Sequence, residues 1–106
     1  MSELDKLEQY LKEKGYTYQR EDKPADTKLV DFYKRHFGTY RGEGEFHQIR
    51  VYANDGRYEW DAICYYGSYG YEKGLIEVMG TIVNANAGDS VEGWLTAQDI
   101  IDRLEA

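Results

Sequence analysis

The most distinctive segment of the chain is a run of four tyrosines and two glycines over residues 65–71. Tyrosine offers a large rigid contact area with a polar tip, and glycine lets another backbone approach closely, so such a run is typical of recognition surfaces. The same residues could instead form a tight strand-to-helix connection whose rings close the edge of the core. The sequence leaves both interpretations open. In the first, Tyr65, Tyr69 and Tyr71 are the aromatic binding residues.

No set of residues in the sequence matches a known catalytic motif, whether of nucleotide-binding loops, zinc proteases or serine hydrolases. Cys64 and His47 could pair as nucleophile and base across a hairpin, but Cys64 shares the apolar face of its strand, where burial raises a thiol pKa. Glu59 and Asp61 are a carboxylate pair of the kind common on exposed strands. His36 and His47 lack a second ligand at metal-binding spacing. We therefore predict a non-enzymatic protein with no catalytic residue, metal or cofactor.

Charge is distributed unevenly along the chain. Residues 59–106 contain nine acidic and two basic side chains, so this segment alone accounts for the formal net charge of −7. Such a balance argues against general nucleic-acid binding and would attract a basic protein partner. The alternative is a solvated surface that keeps the protein soluble. Glu72 and Glu77, which follow the tyrosine run, complete the predicted binding surface.

Length and composition predict one soluble domain over residues 1–106, large enough to bury its own core. The longest apolar-rich stretch, residues 75–83, is interrupted by Glu77 and Gly80 and falls far short of the roughly 20 residues of a membrane span. A single cysteine excludes an internal disulfide, and the first residues do not resemble a signal peptide. These features predict a cytoplasmic protein that does not bind membranes.

In the first half of the chain, spacing and capping residues predict a helix over residues 3–14 and a short strand over 16–19. A charged turn at 20–24 is expected to end that strand. A second helix is expected over 26–38, followed by a glycine-bearing loop to residue 44. The first helix has an apolar stripe of Leu4, Leu7 and Leu11. The second has apolar residues on one side, namely Leu29, Val30, Tyr33 and Phe37.

In the second half, alternating apolar residues predict a β-hairpin over residues 46–66 that turns at 54–56. Helical periodicity predicts a helix over 74–84, and turn-forming residues follow at 86–89. Thr96 is the expected start of a last helix. The side chains predicted to face the core in this half are Ile49, Val51, Trp60, Ala62, Cys64, Tyr66, Trp94, Ile100, Ile101 and Leu104.

These elements predict an α+β fold. Its sheet is expected to be small and antiparallel, with two to three strands built around the central hairpin 46–66. Three to four helices are expected to pack mainly on one face of that sheet.

The stretches 47–52, 60–64, 67–80 and 88–96 resemble small uncharacterised proteins found in prophages and mobile elements of Gram-positive gut bacteria. The resemblance extends over about residues 47–104. It implies a phage or mobile-element context. Because that family has no established activity, it implies no site residue.

The leading functional hypothesis is an adaptor or inhibitor that binds a host or phage protein through the tyrosine run and the acidic half. A narrower version is a DNA mimic, similar to some small anti-CRISPR proteins in size, charge and element order. The alternative is a small-molecule-binding protein or enzyme. Its pocket would be lined by Tyr65, Tyr66, Tyr69, Trp60 and His47. A flat exposed aromatic patch would favour the adaptor, and a concave cavity would favour the alternative.

Overall fold

The computed structural model describes residues 1–83 and 90–106, which form an α+β fold with three α-helices and one five-stranded sheet. The sheet is antiparallel throughout and its strands follow chain order, β1-β2-β3-β4-β5. The elements are α1 (Glu3–Glu13), β1 (Thr17–Lys23), α2 (Thr27–Phe37), β2 (Phe46–Tyr52), β3 (Tyr58–Tyr65), a 3-10 turn (Tyr71–Lys73), β4 (Ile76–Gly80), β5 (Val91–Leu95) and α3 (Ala97–Glu105). The predicted turn at 86–89 lies outside the described residues.

Helices α1 and α3 pack on one face of the sheet and form the core with it. Both helices begin as predicted. At α1 the Ser2 hydroxyl accepts a hydrogen bond from the Asp5 backbone N–H at 3.0 Å, as part of a capping box. Thr96 and Asp99 form an equivalent capping box at α3. Each such cap stabilises a helix by about 1 kcal/mol. The core side chains are Leu4, Leu7, Leu11, Ile49, Val51, Trp60, Ala62, Ile76, Val78, Leu95, Ala97 and Ile100.

The predicted hairpin is confirmed as β2 and β3. Its register places Ile49 opposite Ala62 and Val51 opposite Trp60, so the apolar residues of both strands share the core face. Trp60 is only 4 % exposed. Local turn chemistry and strict alternation were sufficient to identify this unit because both depend on neighbouring residues alone.

The predicted helix over residues 74–84 is wrong, because this segment contains strand β4 beside β3. Ile76 and Val78 enter the core, while Glu77 between them is also buried, on the opposite face. In a strand that is covered on both faces, apolar and polar residues no longer alternate, so the sequence signal of a strand is lost. The sheet therefore has five strands, against the two to three that were expected.

Strand β5 was not predicted, and the expectation that Trp94 anchors the core is wrong. β5 pairs with β4 through a register shift opposite Ile76–Val78, so the strand does not alternate regularly. Leu95 enters the core, whereas Trp94 is 59 % exposed. Without the helix at 74–84, α3 is the only α-helix that the described residues contain after the hairpin.

Strand β1 continues through the charged residues that were expected to form a turn. Arg20 lies opposite Ile49, and its guanidinium contacts the carboxylates of Asp5 and Glu8 on α1 at 2.9 and 3.0 Å. Arg20 therefore keeps its charge while covering the border of the core. Charged side chains on an edge strand also discourage pairing with another chain.

Helix α2 forms as predicted, capped by Asp26, which accepts from the Lys28 backbone N–H at 2.9 Å, and it ends at Gly38. None of its residues is buried. Phe37, on the apolar side of this helix, is exposed. Helix α2 thus contributes little to the core that α1 and α3 build.

Candidate functional site: an aromatic pair above the second face of the sheet

The face of the sheet opposite α1 and α3, here called the second face, contains buried carboxylates. Asp61 is buried and accepts hydrogen bonds from the Gln48 side-chain amide at 3.0 Å and from the Tyr58 hydroxyl. Arg50 in turn donates to the Gln48 amide oxygen at 3.0 Å. Among the described residues no buried side-chain N or O atom lacks a partner. The second face is therefore held by a satisfied polar network.

Glu77 connects this face to the tyrosine run. Its carboxylate is only 7 % exposed and accepts a hydrogen bond from the backbone N–H of Tyr69 at 3.0 Å. A hydrogen bond to a carboxylate is stronger than one between neutral groups. Glu77 thus lies beneath the predicted binding surface, where it fixes the backbone of Tyr69.

Tyr69 and Trp94 form a stacked aromatic pair on the surface. Their ring centroids are 5.1 Å apart with an interplanar angle of 22°. Both rings are more than half exposed. The Trp94 backbone N–H donates to the Tyr69 carbonyl oxygen at 3.2 Å, so the stacking is supported by a main-chain hydrogen bond. We call these two residues the Tyr69–Trp94 pair.

The backbone around the pair is closely fitted. Gly93 lies directly against Tyr69, and a Cβ atom at Gly93 would collide with the Tyr69 Cβ. Trp94 has φ +55°, and it is the one non-glycine residue with positive φ in the part of the chain that the structure describes. This conformation costs about 1–3 kcal/mol for a residue with a side chain. The strain thus falls on an exposed aromatic residue.

The other tyrosines of the run differ in burial: Tyr65 and Tyr71 are half-buried, and Tyr66 is exposed. Tyr65 is half-buried and its ring lies 5.7 Å from that of Phe46. The Tyr71 hydroxyl donates to Glu45 at 2.5 Å, and burial together with that carboxylate raises the pKa of Tyr71, so the phenol stays a donor. Tyr66, expected to face the core, is instead exposed, because β3 and its alternation end at Tyr65.

Of the five predicted binding residues, the structure leaves Tyr69 and Glu72 on the surface. Tyr65, Tyr71 and Glu77 lie beside or beneath them. Trp94 is the residue that sequence reasoning missed. The adjacent Gly93 was the available signal, because glycine within a strand marks a bulge or a close backbone approach.

The acidic residues of the second half do not form one continuous surface. Asp61 and Glu77 are buried, and Glu92 forms an ion pair with Arg103. The acids that remain exposed on α3 are Asp99, Asp102 and Glu105. Asp89 lies outside the described residues. Among the described residues of this half, the exposed acids are thus those of α3 and Glu72.

The residues named for the pocket predicted from sequence lie in different parts of the fold. Trp60 lies in the core, and His47 is half-buried with its Nδ1 atom 2.8 Å from Asp22. The cavity that Trp60 lines includes none of Tyr65, Tyr66, Tyr69 and His47.

The surroundings of Cys64 disfavour a catalytic role for its thiol. Burial and the nearby Glu45 carboxylate raise the pKa of Cys64, which opposes a thiolate nucleophile. In residues 1–83 and 90–106 no cluster of three or more histidine, cysteine or carboxylate side chains could hold a metal ion. The candidate functional site is the Tyr69–Trp94 pair, because its rings are exposed and stacked and Trp94 has a positive φ.

Comparisons with protein-family models, with curated proteins and with solved structures found no match to this chain. The resemblance to prophage proteins therefore stays a prediction. Across the two described ranges, no helix has the length and apolar character required to cross a membrane.

Proposed function

We propose that this protein is a non-enzymatic interaction module that binds a partner protein through the Tyr69–Trp94 pair. The observation that carries the proposal is Trp94 itself, an exposed ring on a strained backbone, stacked on a second exposed ring. Such strain does not favour folding, whereas strained residues are common at functional sites. Tryptophan and tyrosine held in one orientation lose little entropy on binding and are enriched among the residues that dominate interface energies.

The acidic residues of the second half of the chain favour a partner with a basic contact surface. Glu72 is exposed in the 3-10 turn beside Lys73, and α3, on the helix-covered side of the sheet, contributes three exposed acids. Opposite charge on a partner would raise the association rate and would be screened by salt. An adaptor or inhibitor encoded by a mobile element and acting in the cytoplasm is the biological setting that we propose.

A DNA-mimic inhibitor is the less favoured version of this function. A mimic needs rows of exposed negative charge that imitate phosphates. Here Asp61 and Glu77 are buried and Glu92 is neutralised by Arg103. Because these three acids already have hydrogen-bond or ion-pair partners within the fold, we expect the aromatic pair to be the main source of affinity.

Quantitative affinity capture from cell lysate tests the proposal. The bait proteins are the wild type, Trp94→Gly and Tyr69→Ser, with Phe32→Ser as matched control, because Phe32 is an equally exposed aromatic residue on α2. We expect one or more proteins to be captured by the wild type and the control, and to be lost at least tenfold with either variant of the pair. Equal capture by all four baits, or selective loss with Phe32→Ser, would contradict the proposal.

A further inference from the structure

A cavity of about 350 Å³ lies between helix α2, the loop that follows it and the residue after strand β3. This volume is within the range of about 300–1,000 Å³ that is typical of ligand sites. The lining residues are Tyr33, Phe37, Thr39, Arg41, Glu43 and Tyr66. Neither Tyr69 nor Trp94 lines the cavity, so it is separate from the surface proposed above.

Three of the lining residues are aromatic. Tyr33 and Phe37 are one turn apart on α2, with ring centroids separated by 5.4 Å at 35°. Phe37 is 66 % exposed, and Tyr66 is exposed as well. Because no residue of α2 is buried, the Phe37 ring is not needed to fill the core. Exposed aromatic side chains around a concave surface are typical of a docking site.

The loop that closes the cavity is fixed by its own hydrogen bonds. The Glu43 carboxylate accepts from the Arg41 backbone N–H at 2.8 Å, and the Tyr40 hydroxyl donates to the Glu43 carbonyl oxygen at 2.9 Å. The Tyr71 side chain lies directly against Gly42, where a Cβ atom would collide with it. The Glu43 charge is thus used within the loop, and the loop is ordered before any partner binds.

The Arg41 guanidinium is available to a partner. The arginines that form ion pairs with carboxylates are Arg20, Arg50, Arg57 and Arg103. Within residues 1–83 and 90–106, the exposed Arg41 side chain has neither a hydrogen-bond nor an ion-pair partner. Lys34, which lies one turn before Phe37 on the same side of α2, is likewise exposed and unpaired. The cavity therefore combines aromatic walls with free positive charge.

We propose that this cavity binds a segment of a partner protein in which a bulky apolar residue lies close to an aspartate or glutamate. The apolar side chain packs between the rings of α2 and Tyr66. The carboxylate pairs with Arg41, because the planar guanidinium matches a carboxylate with two parallel hydrogen bonds. Lys34 adds positive charge beside the same segment.

Two other anionic surfaces fit the cavity less well. An anionic bilayer is flat and cannot fill a concave site, and it repels a protein with a net charge of −7. A second copy of this chain offers exposed acids on α3, but the exposed residues of that helix are all polar, so they bring no apolar side chain. The exposed residues of α3 are Gln98, Asp99, Asp102 and Glu105.

Selection from a random peptide-display library tests the proposal. Peptides are collected if they are enriched on both the wild type and Trp94→Gly, so that they do not depend on the Tyr69–Trp94 pair. We expect a family in which a bulky apolar residue lies within a few positions of an acidic one. Enrichment of no such family, or of peptides rich in lysine and arginine, would overturn the proposal. Because these peptides bind Trp94→Gly, this test and that of the proposed function fail separately.

Isothermal titration calorimetry with a selected peptide then locates the binding. Phe37→Ser and Arg41→Gln should each weaken it by about tenfold or more, and Arg41→Lys should weaken it less because the charge is kept. The matched controls are Phe32→Ser and Arg35→Gln, since Phe32 does not line the cavity and Arg35 lies on the other side of α2 from Phe37. Both controls should bind as the wild type does. All four positions are exposed, so circular dichroism should show unchanged folding. Unchanged affinity of Arg41→Gln, or equal losses in Arg41→Gln and Arg35→Gln, would overturn the proposal.

Discussion

The two faces of the sheet are stabilised in different ways. On the face covered by α1 and α3, apolar side chains such as Leu7, Ile49 and Trp60 are almost completely buried. On the second face, hydrogen bonds to Asp61 and Glu77 take their place. Apolar burial is strong and not directional, whereas hydrogen bonds fix particular atoms. The helix-covered face therefore supplies most of the stability, and the second face positions exposed rings.

The largest effect is expected on the helix-covered face. Trp60→Ala should lower the free energy of unfolding by about 3–5 kcal/mol, since it removes a buried ring and leaves a cavity. Urea unfolding measured by circular dichroism would give this value. A loss below about 1 kcal/mol would mean that Trp60 does not anchor the core.

A smaller effect is expected on the second face. Asp61→Ala removes the acceptor of Gln48 and Tyr58 and should cost about 1–3 kcal/mol, because two donors lose their partner. Asp61→Asn keeps an acceptor oxygen and should cost less, and Glu72→Ala, at an exposed position, should have almost no effect. If the alanine and asparagine variants were equally stable, the hydrogen bonds of Asp61 would not be what holds this face.

Cys64 provides a kinetic measure of how closed the helix-covered face is. Because its pKa is raised, the thiolate fraction at any pH below that pKa is smaller than for a free cysteine, and alkylation should be slow. We expect iodoacetamide to react much faster with urea-unfolded protein than with native protein at neutral pH. Rapid stoichiometric labelling of the native protein would revive a nucleophilic role for Cys64.

The sequence predicted the elements whose signals are local. Ser2 with Asp5 and Thr96 with Asp99 identify helix starts, and the turn at 54–56 identifies the hairpin. It did not predict β4 or β5. β4 lacks an exposed polar face because Glu77 is buried by the tyrosine run, and β5 is irregular at its bulge. Both facts depend on contacts between segments distant in sequence.

The candidate site was predicted only in part for the same reason. The tyrosine run identified Tyr69 and the approximate location. Its partner Trp94 is 25 positions later in the chain, and the neighbouring Gly93, a glycine within a strand, is the single local signal of the bulge that exposes it. Alternation likewise misplaced Tyr66, since a strand's end cannot be read from its apolar residues alone.

We propose that Trp94 is kept for binding and not for folding, and the free energy of unfolding of Trp94→Gly is the decisive measurement. Glycine relieves about 1–3 kcal/mol of backbone strain. It forfeits about 0.5–1.5 kcal/mol of ring stacking and about 0.5–1 kcal/mol of chain entropy. These effects nearly cancel, so we expect a free energy of unfolding within about 1 kcal/mol of the wild type. A loss of about 3 kcal/mol or more, as expected for Trp60→Ala, would contradict the claim and make Trp94 part of the core.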